Sequence, residues 1–158
     1  MTLPYHTPLS PETLAAHGIP PEWRYALANK VQFFELDALN HVNNTVYLRW
    51  FESFRLSYVM DYGISDFGPM SPRLVVHSLS ARFHKEMHLG DDYIVAGRTT
   101  SFRNTSFIME YALFSNGLAA TGDAVMVLLN REGDGRHPLT EAQKKALIER
   151  DGAKADAG

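Results

Sequence analysis

The sequence predicts an α+β domain in which a long buried helix is cradled by a five-stranded antiparallel sheet, with short helices near both ends. Three observations lead to this class. A helix from Thr45 to about Tyr62 is apolar most of the way round, so other structure must cover it. Four runs after it, each of about ten residues, alternate with a period of two, which indicates strands. The connections between these runs are short, so neighbouring strands are antiparallel.

The elements follow in chain order. Ser10-Pro11-Glu12 opens a short helix, because a hydroxyl cap, a first-turn proline and an early acid favour a helix start. Lys30 to Glu35 is rich in Val and Phe and predicts the first strand. The C-terminal helix spans Pro138 to Arg150 with Thr140 as its cap, and residues 151–158 are expected to fray. The four later strands are Leu74 to His84, Asp92 to Phe102, Ser106 to Phe114 and Leu118 to Asn130.

A glycine ends the long helix, and polar residues recur along one side of it. Gly63 ends it, as glycine often does just beyond a helix C-terminus. Arg49, Glu52 and Arg55 recur every three residues and predict a narrow polar face on an otherwise apolar helix.

Length and composition limit the function classes. The 158 residues fit one domain, with a core at about 27–150 and a lead-in at 1–26. A net charge of −3 gives no broad field for nucleic acid or an anionic membrane. The absence of cysteine excludes disulfides, thiolate metal sites and cysteine nucleophiles. No signal peptide and no apolar run of membrane-spanning length is visible, so we expect a cytoplasmic protein.

A polar loop, Asp37-Ala38-Leu39-Asn40-His41-Val42-Asn43-Asn44, precedes the long helix. Together with Glu35-Leu36 and the helix as far as Arg55, it resembles the 4-hydroxybenzoyl-CoA thioesterase family. It is more closely similar to bacterial acyl-CoA thioesterases that carry Asp-x-x-x-His-x-Asn-Asn before the central helix. Weaker likeness extends to Phe83 with the Gly90-Asp91 turn, to Thr105-Ser106-Phe107 and to Gly135 through Ile148.

The resemblance implies a hotdog fold, an active site at a dimer interface and hydrolysis of an acyl-CoA or aryl-CoA thioester without a cofactor. Independently, long strands with open edges tend to pair with another copy. We therefore expect a homodimer, or a tetramer built from two such dimers, acting on a small acyl-CoA molecule.

Asp37 is the candidate catalytic carboxylate, as general base or as nucleophile. It lies seven residues before Asn44, where the long helix begins. The first turn of a helix has unpaired amides and a partial positive charge. A thioester carbonyl directed at the amides of Asn43, Asn44 or Thr45 would be polarised there, beside a carboxylate that activates water or attacks. The competing interpretation is that Asp37 only forms a turn or a cap.

The other candidate residues each have a structural alternative. His41 either orients Asp37 or contacts the thioester, or it only braces the loop through backbone hydrogen bonds; we favour bracing. Tyr47, Phe51 and Phe54 share one flank of the helix, where they either line an acyl pocket or form ordinary core. For the phosphates of CoA the candidates are Lys85 with neighbouring His84, and Arg103 with Ser106.

A bound metal is not expected. The chain has seven histidines, of which His77, His84 and His88 could be paired in space, but no H-x-x-H or H-E-x-x-H spacing occurs. Two other functions stay open. A non-catalytic acyl-CoA-binding protein would keep the pocket without Asp37. An acyl-thioester hydratase or dehydratase would need a His/Asp or His/Glu pair, which the sequence alone does not identify.

Overall fold

The computed structural model describes residues 2–156 and confirms the α+β class. The helices are α1 (Pro11–Ala16), α2 (Asn44–Asp61) and α3 (Glu141–Asp151). The strands are β1 (Tyr25–Lys30), β2 (Arg73–Phe83), β3 (Asp92–Phe102), β4 (Ser106–Phe114), β5 (Leu118–Leu129) and β6 (Lys154–Ala155). Their order in the sheet is β1-β3-β4-β5-β2, and β6 pairs with β3. Within residues 2–156, no helix combines the length and apolar character that a membrane span requires.

The predicted position of the first strand is wrong. β1 ends at Lys30, and Phe33–Glu35 form a 3₁₀ turn instead. The Glu35 side chain accepts a hydrogen bond from the Gln32 amide at 2.8 Å, which closes this turn. Phe33 and Phe34 are each 78% exposed. Their apolar, aromatic character suggested a strand, but the capping box of the turn determines the local backbone.

The C-terminal tail differs from expectation as well. Lys154–Ala155 pair in parallel with Ser101 and Phe102 of β3, where we expected a frayed end. The Asp156 amide extends this pairing by donating to the Phe102 carbonyl at 2.8 Å. The sheet therefore has six strands, and the rest of the predicted tail, residues 157–158, lies outside the described residues.

Helix α2 begins and ends at recognisable signals. Asn43 precedes its first residue, and the Asn43 Oδ1 accepts from the Thr45 amide at 3.0 Å, which satisfies one free donor of the first turn. Gly63 has a φ of 72°, in the left-handed region that favours glycine. The Ile64 amide then returns to the Val59 carbonyl at 2.9 Å.

The polar face predicted for α2 is narrower than expected. Arg49 and Glu52 are exposed, but Arg55 is buried. Its Nη1 donates to the buried hydroxyl of Tyr111 at 3.2 Å. A buried polar group needs a hydrogen-bond partner, and the Tyr111 hydroxyl is one for the Arg55 guanidinium. The prediction for Arg55 is therefore wrong.

The chain forms two compact units. The first comprises Met1–Arg55, Ala81–Gly97 and Tyr111–Gly122. Its core contains stacked rings from α2 and the strands: Trp50 lies 4.0 Å from Tyr93 and Phe51 lies 4.8 Å from Tyr111, between ring centroids. The N-terminal segment covers β1 and β3 with an apolar cluster of Leu3, Leu9, Leu14, Ile19, Ala26, Ala28, Ile94 and Ala96.

The second unit comprises Leu56–Ser80, Arg98–Glu110 and Asp123–Gly158. The Asp151 carboxylate, at the end of α3, accepts hydrogen bonds from the hydroxyls of Tyr58 and Tyr62 and, at 2.7 Å, from the Thr99 amide. Burial, followed by the nearby Asp151 charge, raises the pKa of both tyrosines, so both remain neutral donors. The Arg150 guanidinium lies 3.8 Å from the centroid of the Tyr62 ring.

Gly97 makes room for the side chain of Phe54. A Cβ atom built on Gly97 would lie 2.3 Å from the Cε1 of Phe54, far inside van der Waals contact. Phe54 is buried and packs edge-on against Tyr25 and Tyr111, so its ring has little freedom to move aside.

We predict that Gly97→Ala lowers the free energy of unfolding by about 1–3 kcal/mol through overpacking, measured by urea denaturation. Phe54→Leu removes the ring that the new methyl group would meet. The double variant should therefore lose less stability than the sum of the two single variants. Wild-type stability in Gly97→Ala, or strictly additive losses, would contradict this packing.

Candidate functional site

The loop before α2 is organised by the carboxylate of Asp37. Its Oδ1 accepts hydrogen bonds from the amides of Leu39, at 2.8 Å, and His41, at 3.2 Å. The backbone closes the same turn, since the Asp37 amide donates to the His41 carbonyl at 2.8 Å. Asn40, at the tip, has a φ of 62°, a conformation that Asn adopts more readily than most residues. Asp37 is thus a turn residue whose second oxygen, Oδ2, takes no hydrogen bond from residues 2–156.

The loop is tied to the start of α2 by Glu35 and Asn43. The Asn43 amide donates to the Glu35 carbonyl at 2.9 Å, and the Glu35 carboxylate accepts from the Trp50 indole at 2.7 Å. Trp50 is buried on α2, so Glu35 connects the turn before the loop to the body of the helix. This arrangement fixes the direction in which the first amides of α2 point.

One of the three candidate amides is left free by this arrangement. The Asn43 amide is engaged by the Glu35 carbonyl, and the Thr45 amide by the Asn43 side chain. The Asn44 amide, at the first residue of α2, donates to no group within residues 2–156. A free first-turn amide retains its partial positive charge for a ligand. The structure thus separates Asn44 from its two neighbours, which sequence alone leaves equivalent.

Asp37 and Asn44 line one open cavity of about 410 Å³. The loop contributes Asp37, His41 and Val42, the start of α2 contributes Asn44 and Tyr47, and residues 83–86 close the opposite side. Tyr47 is buried, and its ring lies 5.0 Å from that of Phe83 in an edge-on arrangement. Burial, with a smaller effect of the Glu86 carboxylate, raises the pKa of the Tyr47 hydroxyl. The cavity therefore combines one aromatic wall with a carboxylate and a free amide.

The imidazole of His41 contacts Glu86, a residue that the sequence analysis did not single out. Its Nε2 lies 3.1 Å from the Oε2 of Glu86. The hydrogen bonds between His41 and Asp37 involve the backbone amide and carbonyl of His41, so the imidazole does not orient that carboxylate. The two segments are joined by the Val42 amide, which donates to the Met87 carbonyl at 2.9 Å. His41 both braces the loop through its backbone and lines the cavity with its side chain.

Of the remaining candidate residues, Lys85 lines this cavity, whereas Phe51, Phe54, Arg103 and Ser106 lie elsewhere. Phe51 and Phe54 are core residues and do not line the cavity. Lys85 does line it, and its Nζ donates to the Asn116 carbonyl at 2.7 Å. Arg103 lies at the turn after β3 and lines a separate cavity beside α3. Ser106 closes that turn by accepting, through its carbonyl, the Arg103 amide at 2.8 Å.

Comparison with known proteins gives the family. The model of the thioesterase-like superfamily matches residues 31–148, which include every residue that lines the cavity. The chain belongs to the thioesterase-like superfamily. None of the curated proteins compared with this chain matches it.

Solved structures support the assignment to this superfamily. A thioesterase superfamily protein from Jannaschia sp. CCS1 is 46% identical over 98% of this chain and 100% of that chain, with a TM-score of 0.94. A thioesterase from Thermus thermophilus, solved in complex with coenzyme A and Zn, is 32% identical over 80% of this chain and 93% of that chain, with a TM-score of 0.70. The predicted hotdog fold is thereby confirmed for this thioesterase-like chain.

A third structure agrees in fold alone. A 1,4-dihydroxy-2-naphthoyl-CoA thioesterase from Synechocystis is 17% identical over 80% of this chain and 96% of that chain, with a TM-score of 0.70.

Three residues of the site in this superfamily member were missed from the sequence. Phe83 ends β2 and Glu86 lies three residues beyond it, both far from the loop in sequence, and Glu35 precedes the loop. Phe83 and Glu35 stand inside segments that resemble the family, so a signal was present for both. Nothing in the sequence pairs Glu86 with His41, because their contact depends on the packing of two distant segments.

Proposed function

We propose that the chain hydrolyses the thioester of an acyl-CoA or aryl-CoA to a free acid and CoA, with Asp37 as general base or nucleophile. The observation that carries the proposal is that Asp37, with one carboxylate oxygen unused in the loop, and Asn44, with a free backbone amide, are both among the residues that line one cavity. Membership of the thioesterase-like superfamily supports this reaction class. The Thermus thermophilus thioesterase, which was solved with coenzyme A, supports a CoA thioester as the substrate class.

The chemistry assigns one role to each group. As general base, Asp37 takes a proton from a water molecule whose oxygen adds to the thioester carbon. As nucleophile, Asp37 adds to that carbon itself, and the mixed anhydride that forms when CoA leaves is then cleaved by water. In both cases the carbonyl oxygen becomes an oxyanion that the Asn44 amide stabilises. The carbon–sulfur bond then breaks, and CoA leaves as a thiolate that takes up a proton.

The walls of the cavity suggest how the substrate lies. Tyr47 and Phe83 offer an aromatic surface for the acyl or aryl group. Lys85, on the opposite side of the cavity, supplies a cation for the phosphates of CoA. Arg103 and Ser106 do not line this cavity, so we assign the phosphate role to Lys85.

Asp37→Asn is the variant that tests the proposal. The amide oxygen of Asn can still accept from the Leu39 and His41 amides, so the loop should persist without the charge. We predict a fall in kcat of about 10²–10⁴-fold. The assay follows free CoA with a thiol reagent across a panel of acyl-CoAs and aryl-CoAs. Asp134→Asn, at an exposed surface position, is the matched control.

Three outcomes are informative. CoA binding by calorimetry should remain in Asp37→Asn, which separates lost chemistry from lost binding. Near-normal turnover in Asp37→Asn would contradict the role of this carboxylate. Binding by the wild type without CoA release would instead indicate an acyl-CoA-binding protein.

A second reaction is favoured by one contact. His41 and Glu86 lie 3.1 Å apart and form the kind of His/Glu pair that hydration of an acyl-thioester double bond requires. The same assay distinguishes the two reactions. A hydratase consumes the conjugated double bond of an enoyl-CoA without releasing CoA, whereas a thioesterase releases CoA from saturated and unsaturated substrates alike.

We also propose that the chain assembles through strand β2. This strand is last in the sheet order, so one of its edges is unpaired. Its side chains are exposed along most of its length and include Val75, Val76 and Leu79. An open edge with apolar side chains is a template for pairing with a second copy, and antiparallel self-pairing produces a symmetric dimer.

Val76→Lys is expected to weaken this assembly, because antiparallel self-pairing would bring the new charges of two copies into one interface. Light scattering after size exclusion should give two or four chains for the wild type and a smaller mass for Val76→Lys. Ile148→Lys, on the exposed side of α3, is the control and should keep the wild-type mass. A monomeric wild type at micromolar concentration would contradict assembly through β2.

A further inference from the structure

A cluster of potential metal ligands lies at the edge of the Asp37 cavity. Within residues 2–156, His41, Glu86 and His88 place one ligand atom each within 4.8 Å of one another. The Glu86 Oε2 lies between the rings, 3.1 Å from the Nε2 of His41 and 3.9 Å from the Nε2 of His88. We propose that these three side chains form a binding site for a divalent transition metal of the zinc type.

The local backbone explains why the ligands converge. Met87 is fully buried, whereas Glu86 and His88 on either side of it are exposed, so the side chains of both neighbours are directed away from the core. The Met87 carbonyl accepts the Val42 amide at 2.9 Å, which holds this segment beside the loop that carries His41. The His88 amide donates to the Asp91 Oδ2 at 2.9 Å and anchors the following turn. The site is therefore supported by backbone contacts and not only by the side chains themselves.

The distances suit a tetrahedral ion. Zinc binds His nitrogen and carboxylate oxygen at about 2.0–2.2 Å, which separates neighbouring ligand atoms by about 3.3–3.6 Å in a tetrahedron. The observed separations from Glu86 to the two rings, 3.1 and 3.9 Å, lie on either side of that range. The imidazole planes are almost perpendicular, at 85°, so the two rings approach the carboxylate from different directions. Small rotations of exposed side chains would complete the geometry.

The donor set indicates the kind of metal. Two imidazoles and one carboxylate favour zinc and its neighbours over Mg²⁺ or Ca²⁺, which prefer oxygen ligands. Such a set leaves a fourth position for water or another ligand. The Asp91 Oδ2 lies 3.9 Å from the Nδ1 of His88, on the ring edge away from the cluster. At this distance the carboxylate is a charged neighbour of the ring and does not accept the hydrogen bond that commonly orients a metal-binding histidine.

The site also couples to the cavity. His41 and Glu86 line the same cavity as Asp37, so a cation held by them adds positive charge next to that carboxylate. An ion held there also occupies part of the cavity that the substrate would enter. This consequence, slower hydrolysis when the metal is bound, rests on the proposed function. The metal site itself does not.

Calorimetric titration of the full, tag-free chain with zinc chloride tests the site. We expect one ion per chain, with affinity lowered about 10–100-fold or more in His88→Gln and in Glu86→Gln. Cobalt(II) should give the intense visible absorption of a tetrahedral complex, and His88→Gln should lose it. His17→Gln, at an exposed histidine just beyond the end of α1, is the matched control and should bind as the wild type does. Absence of saturable binding, or unchanged binding in His88→Gln, would overturn the proposal.

The coupling is tested in the hydrolysis assay. Added zinc should slow the wild type at concentrations at which calorimetry shows the site filled, and should slow His88→Gln only at higher concentrations. Equal inhibition of both proteins would overturn the coupling. Should the wild type fail to hydrolyse any thioester, the proposed function fails, while the calorimetric result still decides the metal site.

Discussion

The hydrogen bond from the Asn43 amide to the Glu35 carbonyl, 2.9 Å long, is the constraint on which the candidate site depends. It joins the end of the polar loop, at Asn43, to Glu35 just before the loop, so the loop closes where α2 begins. Since the Glu35 carboxylate also accepts a hydrogen bond from the Trp50 indole, the loop is fixed to a buried residue of the helix. A carboxylate on a short, closed loop and an amide at the helix start then have a defined relation to each other.

The same arrangement explains how one polar segment serves two purposes. Asn43 and the Oδ1 of Asp37 are used structurally, in the cap and in the turn. The Oδ2 of Asp37 and the amide of Asn44 are left without partners among residues 2–156. The turn interpretation and the catalytic interpretation of Asp37 are therefore compatible, because different oxygens of one carboxylate carry them. Using one oxygen for the turn holds the other in place for chemistry.

The sequence predicted those features that depend on neighbours along the chain. The strands from Asp92 to Phe102 and from Ser106 to Phe114 have the predicted bounds, because alternation and turn residues are local signals. The motif from Asp37 to Asn44 could be recognised because its residues are also neighbours in the sequence. Features that depend on contacts between distant parts of the sequence were missed. Arg55 is buried and donates a hydrogen bond to the hydroxyl of Tyr111, and the carboxylate of Glu86 contacts the imidazole of His41. The strand prediction at Phe33 and Phe34 was wrong because both apolar side chains are exposed on the surface, which residue type alone does not predict.

We propose that the Asn44 amide receives the thioester carbonyl, and amide NMR can observe this contact in solution. A 2-oxoalkyl-CoA keeps the carbonyl but replaces the scissile bond, so it can saturate the wild-type site without turnover. We expect a marked downfield shift of the Asn44 amide proton on binding, with small changes at Asn43 and Thr45, whose amides are already engaged. If the analogue binds while the Asn44 resonance stays in place, the Asn44 amide does not receive the carbonyl.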